Sequence, residues 1–398
     1  MTSIKKQIKI CVVTGTRSEY GLFLPLLKLL QADIDYTLQL LVTGMHLSPE
    51  FGLTYKDIEN AGFLIDEKVE ILLSSDTHIG TIKSMGLGLI GFADSFQRLM
   101  PDWVVVLGDR FETFAAATAA YLAKIPLIHL HGGETTEGAT DEAFRHAITK
   151  MAYLHFASTD VYRKRIIQLG ENPSRVFNVG AIGLDNIRQM QLLEKEDLSS
   201  AIDFDLMADT YALVTFHPVT LEDNTAEQQF TQLLTALDGQ KDLKIVFTLP
   251  NADADGRAII QLINNYVAKN AQKAKAYISL GQLRYLSAVK YADFVIGNSS
   301  SGIIEAPSFN IPTVNIGDRQ KGRLQSKTVI DTLPNFDAIT AAIQKARSVD
   351  FKKACLSFNN IYGSGNTAQL ILEILKKFQY ITTLKKPFYD LPTLSTIL

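Results

Sequence analysis

The sequence predicts an α/β fold of two domains, each built on a parallel sheet, and three observations carry this prediction. Short apolar segments alternate with helix-length segments in which apolar residues recur every three or four positions, a pattern typical of βαβ units. The alternation stops in a charged stretch near residues 183–205 and then restarts. The chain has 398 residues, which is more than one hydrophobic core ordinarily accommodates. We therefore expect two Rossmann-like domains, residues 1–185 and 186–364, whose sheets face each other across a cleft.

The first half begins with a strand that ends in Gly15-Thr16-Arg17, after which leucines recur at helical spacing. The same alternation continues to about residue 180. The predicted strands of this half are Lys9–Thr14, Tyr36–Thr43, Val69–Leu73, Trp103–Leu107, Ile125–Leu130, Tyr153–Ala157 and Val176–Val179.

The second half repeats the pattern, and its strands again end in polar residues. A last helical segment follows near residues 366–378. The predicted strands of this half are Tyr211–Phe216, Leu243–Leu249, Ala276–Ser279, Phe294–Ile296 and Thr313–Ile316. Ligands of open parallel sheets bind beyond the carboxyl ends of the strands, so the polar residues there are the candidate site.

Composition excludes several classes of function. A hydrophobic content of 46 %, a charged content of 20 % and a net charge of −3 are typical of a soluble globular protein and give no electrostatic case for nucleic-acid binding. No apolar run approaches the length of a membrane span, and no signal-peptide pattern is present. The two cysteines, Cys11 and Cys355, form neither a disulfide framework nor a zinc site. We expect a cytoplasmic protein.

Cofactor motifs are also missing from the sequence. No Gly-x-Gly-x-x-Gly follows the first strand, and no phosphate loop ending in Gly-Lys-Ser/Thr occurs. His129 and His131 alternate as on a strand, but no HExxH helix is present, so a metal site is not favoured. We expect the protein to work without a cofactor or a metal.

The stretch from His129 to His146 predicts acid–base chemistry. It places three histidines and four carboxylates within 18 residues, directly after a predicted strand. Proton transfer requires side chains that change charge near neutral pH, and Glu134 and Asp141 are the carboxylates we favour. The alternative interpretation is a solvated loop whose acids cap a helix. Asp109 directly follows another strand and should project into the same cleft.

A serine-rich turn and several arginines predict a polyanionic ligand. The segment Ser299-Ser300-Ser301-Gly302 lies between a strand and a helix, where exposed N–H groups and hydroxyls suit a diphosphate, although ordinary serine capping is the alternative. Glu305, one turn further, could accept hydrogen bonds from ribose hydroxyls. His217 is either a phosphate contact or proton shuttle, or else a core or capping histidine. The remaining substrate-binding candidates lie near predicted strand ends, and they are Arg17, Arg110, His146, Asn251, Arg319 and Arg323.

Taken together, these motifs resemble the UDP-N-acetylglucosamine 2-epimerase family, especially its hydrolysing branch. The resemblance spans nearly the whole chain, and seven motifs occur in the family's order. They are Val13–Gly21, Leu107–Glu112, His131–Glu134, Thr140–His146, Thr215–Pro218, Gly297–Gly302 and Gly317–Arg323.

The resemblance implies a GT-B fold with a UDP-sugar in the interdomain cleft and a C-terminal helix, residues 365–390, that packs back on the first domain. It implies that Ser299 and Ser300 hold the diphosphate, that Glu305 holds the ribose, and that three arginines flank the phosphates. Those arginines are Arg17, Arg319 and Arg323. By the same resemblance, the acid–base group is Asp109, Glu134 and Asp141, with His217 close by, and the protein forms a homodimer or homotetramer.

The implied reaction is anti elimination of UDP followed by hydration. A base removes the C2 proton as UDP leaves C1, and the resulting glycal takes up water at C1 and a proton at C2 on the opposite face. The products are UDP and a C2-inverted sugar for nonulosonic acid biosynthesis. UDP-N-acetylglucosamine would give N-acetylmannosamine for sialic acid, and UDP-N,N'-diacetylbacillosamine would supply the legionaminic acid pathway. Clustered carboxylates raise one another's pKa, so we expect at least one of them to start protonated.

Three alternatives stay open at this point. A non-hydrolysing epimerase would interconvert UDP-N-acetylglucosamine and UDP-N-acetylmannosamine, and it usually has an arginine where this chain has Ile304. A GT-B glycosyltransferase would share the nucleotide cleft but would need an acceptor site. A nucleotide-sugar-binding regulator without turnover would not need the acid-rich stretch from His129 to His146.

Overall fold

The computed structural model describes residues 7–75, 77–219, 225–250, 256–379, 381 and 383–392. Within these residues the chain forms two parallel sheets, one in each half, with helices on both faces. The predicted α/β fold of two Rossmann-like domains is therefore confirmed. In the same residues no helix is long and apolar enough to cross a membrane.

The first sheet has the order β3-β2-β1-β4-β5-β6-β7 among the described residues. Every pair in it is parallel, for example β1 with β2 from Ile8 opposite Tyr36 to Thr14 opposite Val42. The elements of this half are β1 (Ile8–Thr14), α1 (Arg17–Ala32), β2 (Tyr36–Thr43), α2 (Tyr55–Asn60), β3 (Glu67–Val69), α3 (His78–Leu99), β4 (Trp103–Leu107), α4 (Phe111–Leu122), β5 (Leu127–Leu130), α5 (Asp141–Met151), β6 (Leu154–Ala157), α6 (Asp160–Gln168), β7 (Val176–Asn178) and α7 (Gly183–Gln189).

The second sheet has the order β10-β9-β8-β11-β12-β13 in the described chain. Its pairs are also parallel, so its strands end at one edge. The elements of this half are α8 (Lys195–Ala201), β8 (Thr210–Thr215), α9 (Ala226–Asp238), β9 (Leu243–Thr248), α10 (Gly256–Lys269), β10 (Ala274–Tyr277), α11 (Gly281–Tyr291), β11 (Phe294–Gly297), α12 (Ser301–Ile304), β12 (Thr313–Ile316), β13 (Val329–Thr332), α13 (Phe336–Arg347), α14 (Val349–Cys355) and α15 (Thr367–Leu375).

The central strands are largely apolar on both faces because helices cover both faces of each sheet. Alternate residues of β1 therefore enter two different cores: Ile10 and Val12 pack against α1, whereas Cys11 and Val13 pack beneath α3 and α4. Cys11 is a free, buried thiol, as expected. Burial disfavours the thiolate and raises the pKa of Cys11 well above its usual range.

Three elements differ from the sequence prediction. The strand predicted at Val69–Leu73 covers Glu67–Val69, and the chain leaves the sheet after Val69. The edge strand β13 was not predicted, because only Ile330 of its four residues is buried. The segment 365–390 is helical only over Thr367–Leu375, and its later described residues, 383–392, form no helix.

The C-terminal segment returns to the first half of the chain. Ile371 and Leu372 of α15 join the core that α1 forms with the first sheet. Lys386 then reaches the buried Glu171 with an Nζ–Oε2 distance of 2.8 Å. The boundary we drew at residue 185 stays a prediction.

The two connections between the halves lie side by side. The Ala181 N–H donates to the carbonyl of Tyr362 at 3.0 Å. The Asp185 carboxylate accepts backbone N–H groups from Asn366, Thr367 and Ala368, each at 2.7–2.8 Å, at the start of α15. These bonds tie the outgoing connection to the returning one.

Candidate active site

A cavity of about 800 Å³ lies between the two sheets. Strand ends and loops from both halves line it, and the carboxyl ends of β1 and β8 face it. Seven of our predicted site residues line it: Arg17, His217, Ser299, Ser300, Ser301, Glu305 and Arg319. A cavity of this size, with polar groups converging on it, suits a small ligand.

The serine-rich turn forms one wall of the cavity. It follows β11, and α12 begins at Ser301. Just before it, the buried Asn298 accepts the N–H of His217 at 2.7 Å and donates to the His217 carbonyl at 2.8 Å. Glu305 is also at the wall and is 9 % exposed, and burial raises its pKa.

Two of the four predicted arginines line the cavity. Arg17 lies at the start of α1, and its Nε is 3.3 Å from an oxygen of Asp57. Arg319 comes from the other half of the chain and donates to the Asn298 carbonyl at 3.1 Å. Two guanidinium groups from opposite walls beside a turn of small hydroxyl residues make this cavity favourable for an anion.

The predicted acid–base residues adjoin this cavity rather than line it. Asp109, at the carboxyl end of β4, is paired with Arg145 of α5. The Arg145 side chain is 1 % exposed and also contacts Glu142 at 2.5 Å and the Glu134 carbonyl at 2.9 Å. Asp141 begins α5 one turn before Arg145, and residues four apart share a helix face.

Glu134 is buried in an ion pair that crosses the cleft. One of its oxygens lies 2.7 Å from the Arg323 guanidinium of the second half. The other accepts from Ser158 at 2.7 Å and lies 3.0 Å from Nδ1 of His131. The Ile182 N–H donates to Nε2 of His131 at 3.4 Å, which leaves Nδ1 to carry the proton and donate to Glu134.

The arginines change the charge state that clustering predicted. Burial alone would raise the pKa of Glu134, but Arg323 and His131 lower it well below its usual range. Burial likewise raises the pKa of Glu142, yet His146, the Thr136 N–H and Arg145 bring it down to about 2. The expectation of mutually raised pKa values is therefore wrong for Glu134, because arginines lie between the acids.

Several other predicted residues lie away from the cavity lining. Arg110 pairs with the buried Glu112, with 2.7 Å between Nε and Oε1. His146 pairs with Glu142 at 3.0 Å, and Gly302 accepts a hydrogen bond from Thr313. Arg323 contacts Glu134 instead of the serine-rich turn. Asn251 falls outside the described residues.

Arg145, His131 and Glu142 were not among our chosen site residues, although all three occur in the acid-rich stretch. The signal for Arg145 was its position four residues after Asp141, on the same helix face. His131 carried no comparable signal in the sequence; only the structure shows that its backbone has a φ of +64°, which is rare for a residue other than glycine. No group of three or more potential metal ligands occurs in the residues that the structure describes.

The fold and this site define a GT-B-type α/β protein with a cavity lined by arginines and small hydroxyl residues at the facing strand ends. A family model described as UDP-N-acetylglucosamine 2-epimerase matches residues 28–376. The chain belongs to the UDP-N-acetylglucosamine 2-epimerase family, as its motifs indicated.

Individual relatives match along nearly their full length. The GDP/UDP-N,N'-diacetylbacillosamine 2-epimerase (hydrolyzing) of Campylobacter jejuni is 45 % identical over 96 % of this chain and 99 % of its own. The UDP-N,N'-diacetylbacillosamine 2-epimerase (hydrolyzing) of Legionella pneumophila is 37 % identical over 92 % of this chain and 95 % of its own. The UDP-GlcNAc 2-epimerase of Neisseria meningitidis, solved bound to UDP-GlcNAc, shares the fold with a TM-score of 0.78 at 20 % identity, covering 93 % of this chain and 100 % of that one.

Proposed function

We propose that this protein is a hydrolysing UDP-sugar 2-epimerase, which converts a UDP-linked 2-acetamido sugar and water into UDP and the free C2 epimer. The observation that carries the proposal is the adjacency of two sites. An anion-binding cavity adjoins a cluster of acids and arginines, because Gly138 of the acid-rich stretch packs against the backbone of Asp318 and Arg319.

In this proposal the cavity holds UDP as substrate and as leaving group. The serine-rich turn and the guanidinium groups of Arg17 and Arg319 contact the diphosphate, and Glu305 accepts the ribose hydroxyls. Breaking the C1–O bond leaves negative charge on the diphosphate, and fixed cations and N–H groups stabilise that charge as it develops. His217, held by Asn298, lies at the same wall.

The acid–base group performs the proton transfers. Removal of the C2 proton requires a carboxylate that is ionised near neutral pH, and Asp109, Glu134 and Asp141 are the candidates. The lowered pKa of Glu134 supports a charged role for it. Water then adds its oxygen to C1 of the glycal, while C2 takes a proton on the opposite face, so a second titratable group is required.

We infer UDP-N,N'-diacetylbacillosamine as the substrate, which would place the enzyme in a legionaminic acid type of pathway. The names of the Campylobacter and Legionella relatives support this choice. UDP-N-acetylglucosamine is the alternative, since the family model carries that name. Ile304, in place of the arginine usual in the non-hydrolysing branch, supports hydrolysis.

The exposed face of α3 supports the expected homo-oligomer. Ile79, Ile82, Leu87 and Ile90 are 43–67 % exposed along this helix. Light scattering on the purified protein gives its mass and tests this part of the proposal.

Proton NMR in D2O tests the function. The purified protein is incubated with UDP-N,N'-diacetylbacillosamine and separately with UDP-N-acetylglucosamine, without added metal or nicotinamide nucleotide. We expect UDP and a free, C2-inverted sugar that carries deuterium at C2. UDP-N-acetylmannosamine without free UDP would contradict hydrolysis, and binding without any product would support the regulator.

A further inference from the structure

A loop that follows β12, Asp318–Leu324, connects the cavity with Glu134. At its beginning, Arg319 and Gln320 both donate to the carbonyl of Asn298, at 3.1 and 2.9 Å, so this end is fixed to the cavity wall. At its other end, Arg323 reaches the first half of the chain and pairs with Glu134 at 2.7 Å. One short segment therefore touches both the anion cavity and the acid–base cluster.

The loop docks on the acid-rich stretch mainly through its backbone. The Glu137 N–H donates to the Lys321 carbonyl at 3.0 Å, and Thr135 Oγ1 donates to the carbonyl of Gly322. Gly322 has a φ of +86°, and a Cβ atom there would lie 3.0 Å from Thr135 Oγ1. A side chain at this position would be strained and crowded, so the close approach depends on glycine.

The ion pair at the end of the loop forms only when the two halves meet. The side chains of Arg323 and Glu134 are 8 % and 3 % exposed, so separating the halves would hydrate both charges. The remaining side-chain partners of the Glu134 carboxylate, Ser158 and His131, belong to its own half. Arg323 is therefore the group whose contact with Glu134 depends on closure of the cleft.

We propose that Arg323 is a positioning residue for Glu134 and that the Asp318–Leu324 loop couples occupation of the nucleotide cavity to the placement of this carboxylate. The inference rests on the proposed function and names a role within it. A ligand that contacts Arg319 in the cavity adds a further anchor to the loop, and the loop holds Arg323 on Glu134. Acid–base chemistry at Glu134 is in this way confined to the closed, occupied enzyme.

Glu134 faces charged and titratable groups from several elements, and all of them act on its charge. Arg323 and His131 favour the carboxylate, and Arg145 of α5 adds to this from one side. The phenols of Tyr162 and Tyr362 interact with Glu134 as well. Removing Arg323 takes away the cation that lowers the pKa of Glu134 most, while the other four groups stay in place.

The test compares Arg323→Gln and Arg323→Lys with a matched control, Lys321→Gln. Lys321 lies on the same loop and pairs with Glu137 across the same interface at 3.0 Å, but both side chains are more than half exposed. For each variant we would measure the UDP dissociation constant, kcat over a range of pH, and the melting temperature. The double variant Arg323→Gln/Glu134→Gln removes both charges of the pair, so it shows whether an unpaired Glu134 carboxylate is what destabilises Arg323→Gln.

We expect Arg323→Gln to lower kcat about 100-fold, the size of effect that misplacement of a reacting group produces. Its UDP dissociation constant should stay within about threefold, and loss of turnover on acidification should set in at higher pH than in the wild type, as loss of an opposite charge predicts. Arg323→Lys should recover part of kcat and of the pH profile, whereas Lys321→Gln should match the wild type.

Two results would overturn the inference. A loss of UDP affinity that matches the loss of turnover would make Arg323 a phosphate contact. If Arg323→Lys folds stably and has a lower kcat but an unchanged pH profile of kcat, Arg323 has only a structural role. If Arg323→Gln does not fold, Arg323→Lys decides: a stable fold with a lowered kcat and a shifted pH profile supports the inference, and a wild-type kcat and pH profile contradict it.

The wild-type enzyme separates this inference from the proposed function. No UDP release from any UDP-sugar by the wild type would contradict the proposed function alone. Small-angle scattering with saturating UDP would then judge the loop: a wild type that compacts and an Arg323→Gln variant that does not would support the coupling, and equal compaction of both would refute it.

Discussion

Asn298 holds the backbone of His217 from both sides, since its Oδ1 accepts the His217 N–H and its Nδ2 donates to the His217 carbonyl. The carbonyl of Asn298 itself accepts from Arg319 and Gln320. The buried Asn298 therefore positions both the His217 backbone at the cavity and the beginning of the Asp318–Leu324 loop. A side chain without both a donor and an acceptor cannot make both bonds to His217.

Asn298→Ala should lower kcat about 10- to 100-fold, because it removes the two hydrogen bonds that hold the backbone of His217. Steady-state kinetics with the UDP-sugar and thermal melts would measure both effects. Asn315→Ala is the matched control, since Asn315 is buried in the same sheet but bonds to Asp331 instead. Equal losses of turnover in the two variants would contradict a specific role for Asn298.

Arg145→Met should unfold more easily than the wild type by about 3–5 kcal/mol, because it removes one partner from a buried ion-pair network. Turnover should be lost as well, since Asp109 and Glu142 would lose the cation that fixes them. Urea denaturation and kcat measurements test this.

Arg98→Met provides the comparison for Arg145→Met. Arg98 makes a two-pronged pair with Glu67, with both distances at 2.7 Å, but its side chain is 59 % exposed. Exposed ion pairs contribute little to stability because water screens them, so this variant should stay close to the wild type. A smaller loss for Arg145→Met than for Arg98→Met would show that the buried network does not stabilise the fold.

Ser300→Ala should weaken UDP binding about 10-fold while kcat at saturation changes little, because its hydroxyl is proposed to contact the diphosphate in the ground and transition states alike. Calorimetric titration with UDP measures the affinity directly. Ser308→Ala is a suitable control, since Ser308 lies outside the cavity lining and accepts a hydrogen bond from Asn360. An unchanged dissociation constant for Ser300→Ala would refute the contact.

Protonation of Glu171 should make the free energy of unfolding depend on pH in the acid range. Burial raises its pKa, but His155, Lys150 and Lys386 lower it to about 2, below the value of 4.5 for a free glutamate. A carboxyl with a lowered pKa in the folded state stabilises the fold above pH 4.5, and this contribution is lost as pH falls toward 2. The difference in unfolding free energy between wild type and Glu171→Gln should therefore shrink between pH 5 and pH 2.

Urea unfolding at several pH values measures this difference, with Glu373→Gln as the control. Glu373 is exposed on α15 and hydrogen-bonded to the neutral Gln369, so it is a surface carboxylate outside any ion pair with which Glu171 can be compared. A difference for Glu171→Gln that grows on acidification would have the wrong sign for a stabilising carboxylate.

The sequence predicted the residues of the cavity best where the parallel-sheet fold alone brings them together. Parallel strands bring their carboxyl ends to one edge, so residues as distant as Arg17, His217 and Arg319 could be assigned to one site from strand ends alone. Strand bounds were least certain at the sheet edges, where β13 buries one residue on one face and carries no continuous apolar run.

Pairing between charged groups was not predictable in the same way. Arg323 lies four residues after Arg319 in one motif, and the resemblance assigned both to the phosphates. The turn at Gly322 instead directs Arg323 across the cleft to Glu134, 189 residues away in sequence. Sequence spacing does not indicate which of two neighbouring anions an arginine meets, because that depends on how the halves close.

The paired connections near Ala181 and Tyr362 restrict how the cleft can open. A domain attached by a single linker can rotate in any direction. Two domains joined by two hydrogen-bonded connections can rotate only about the line on which those connections lie. Because Asp185 binds the start of α15, we expect the two walls to separate at the end of the cleft away from these connections. Substrate would then enter and UDP would leave through the same opening, so retained UDP would block the next substrate molecule.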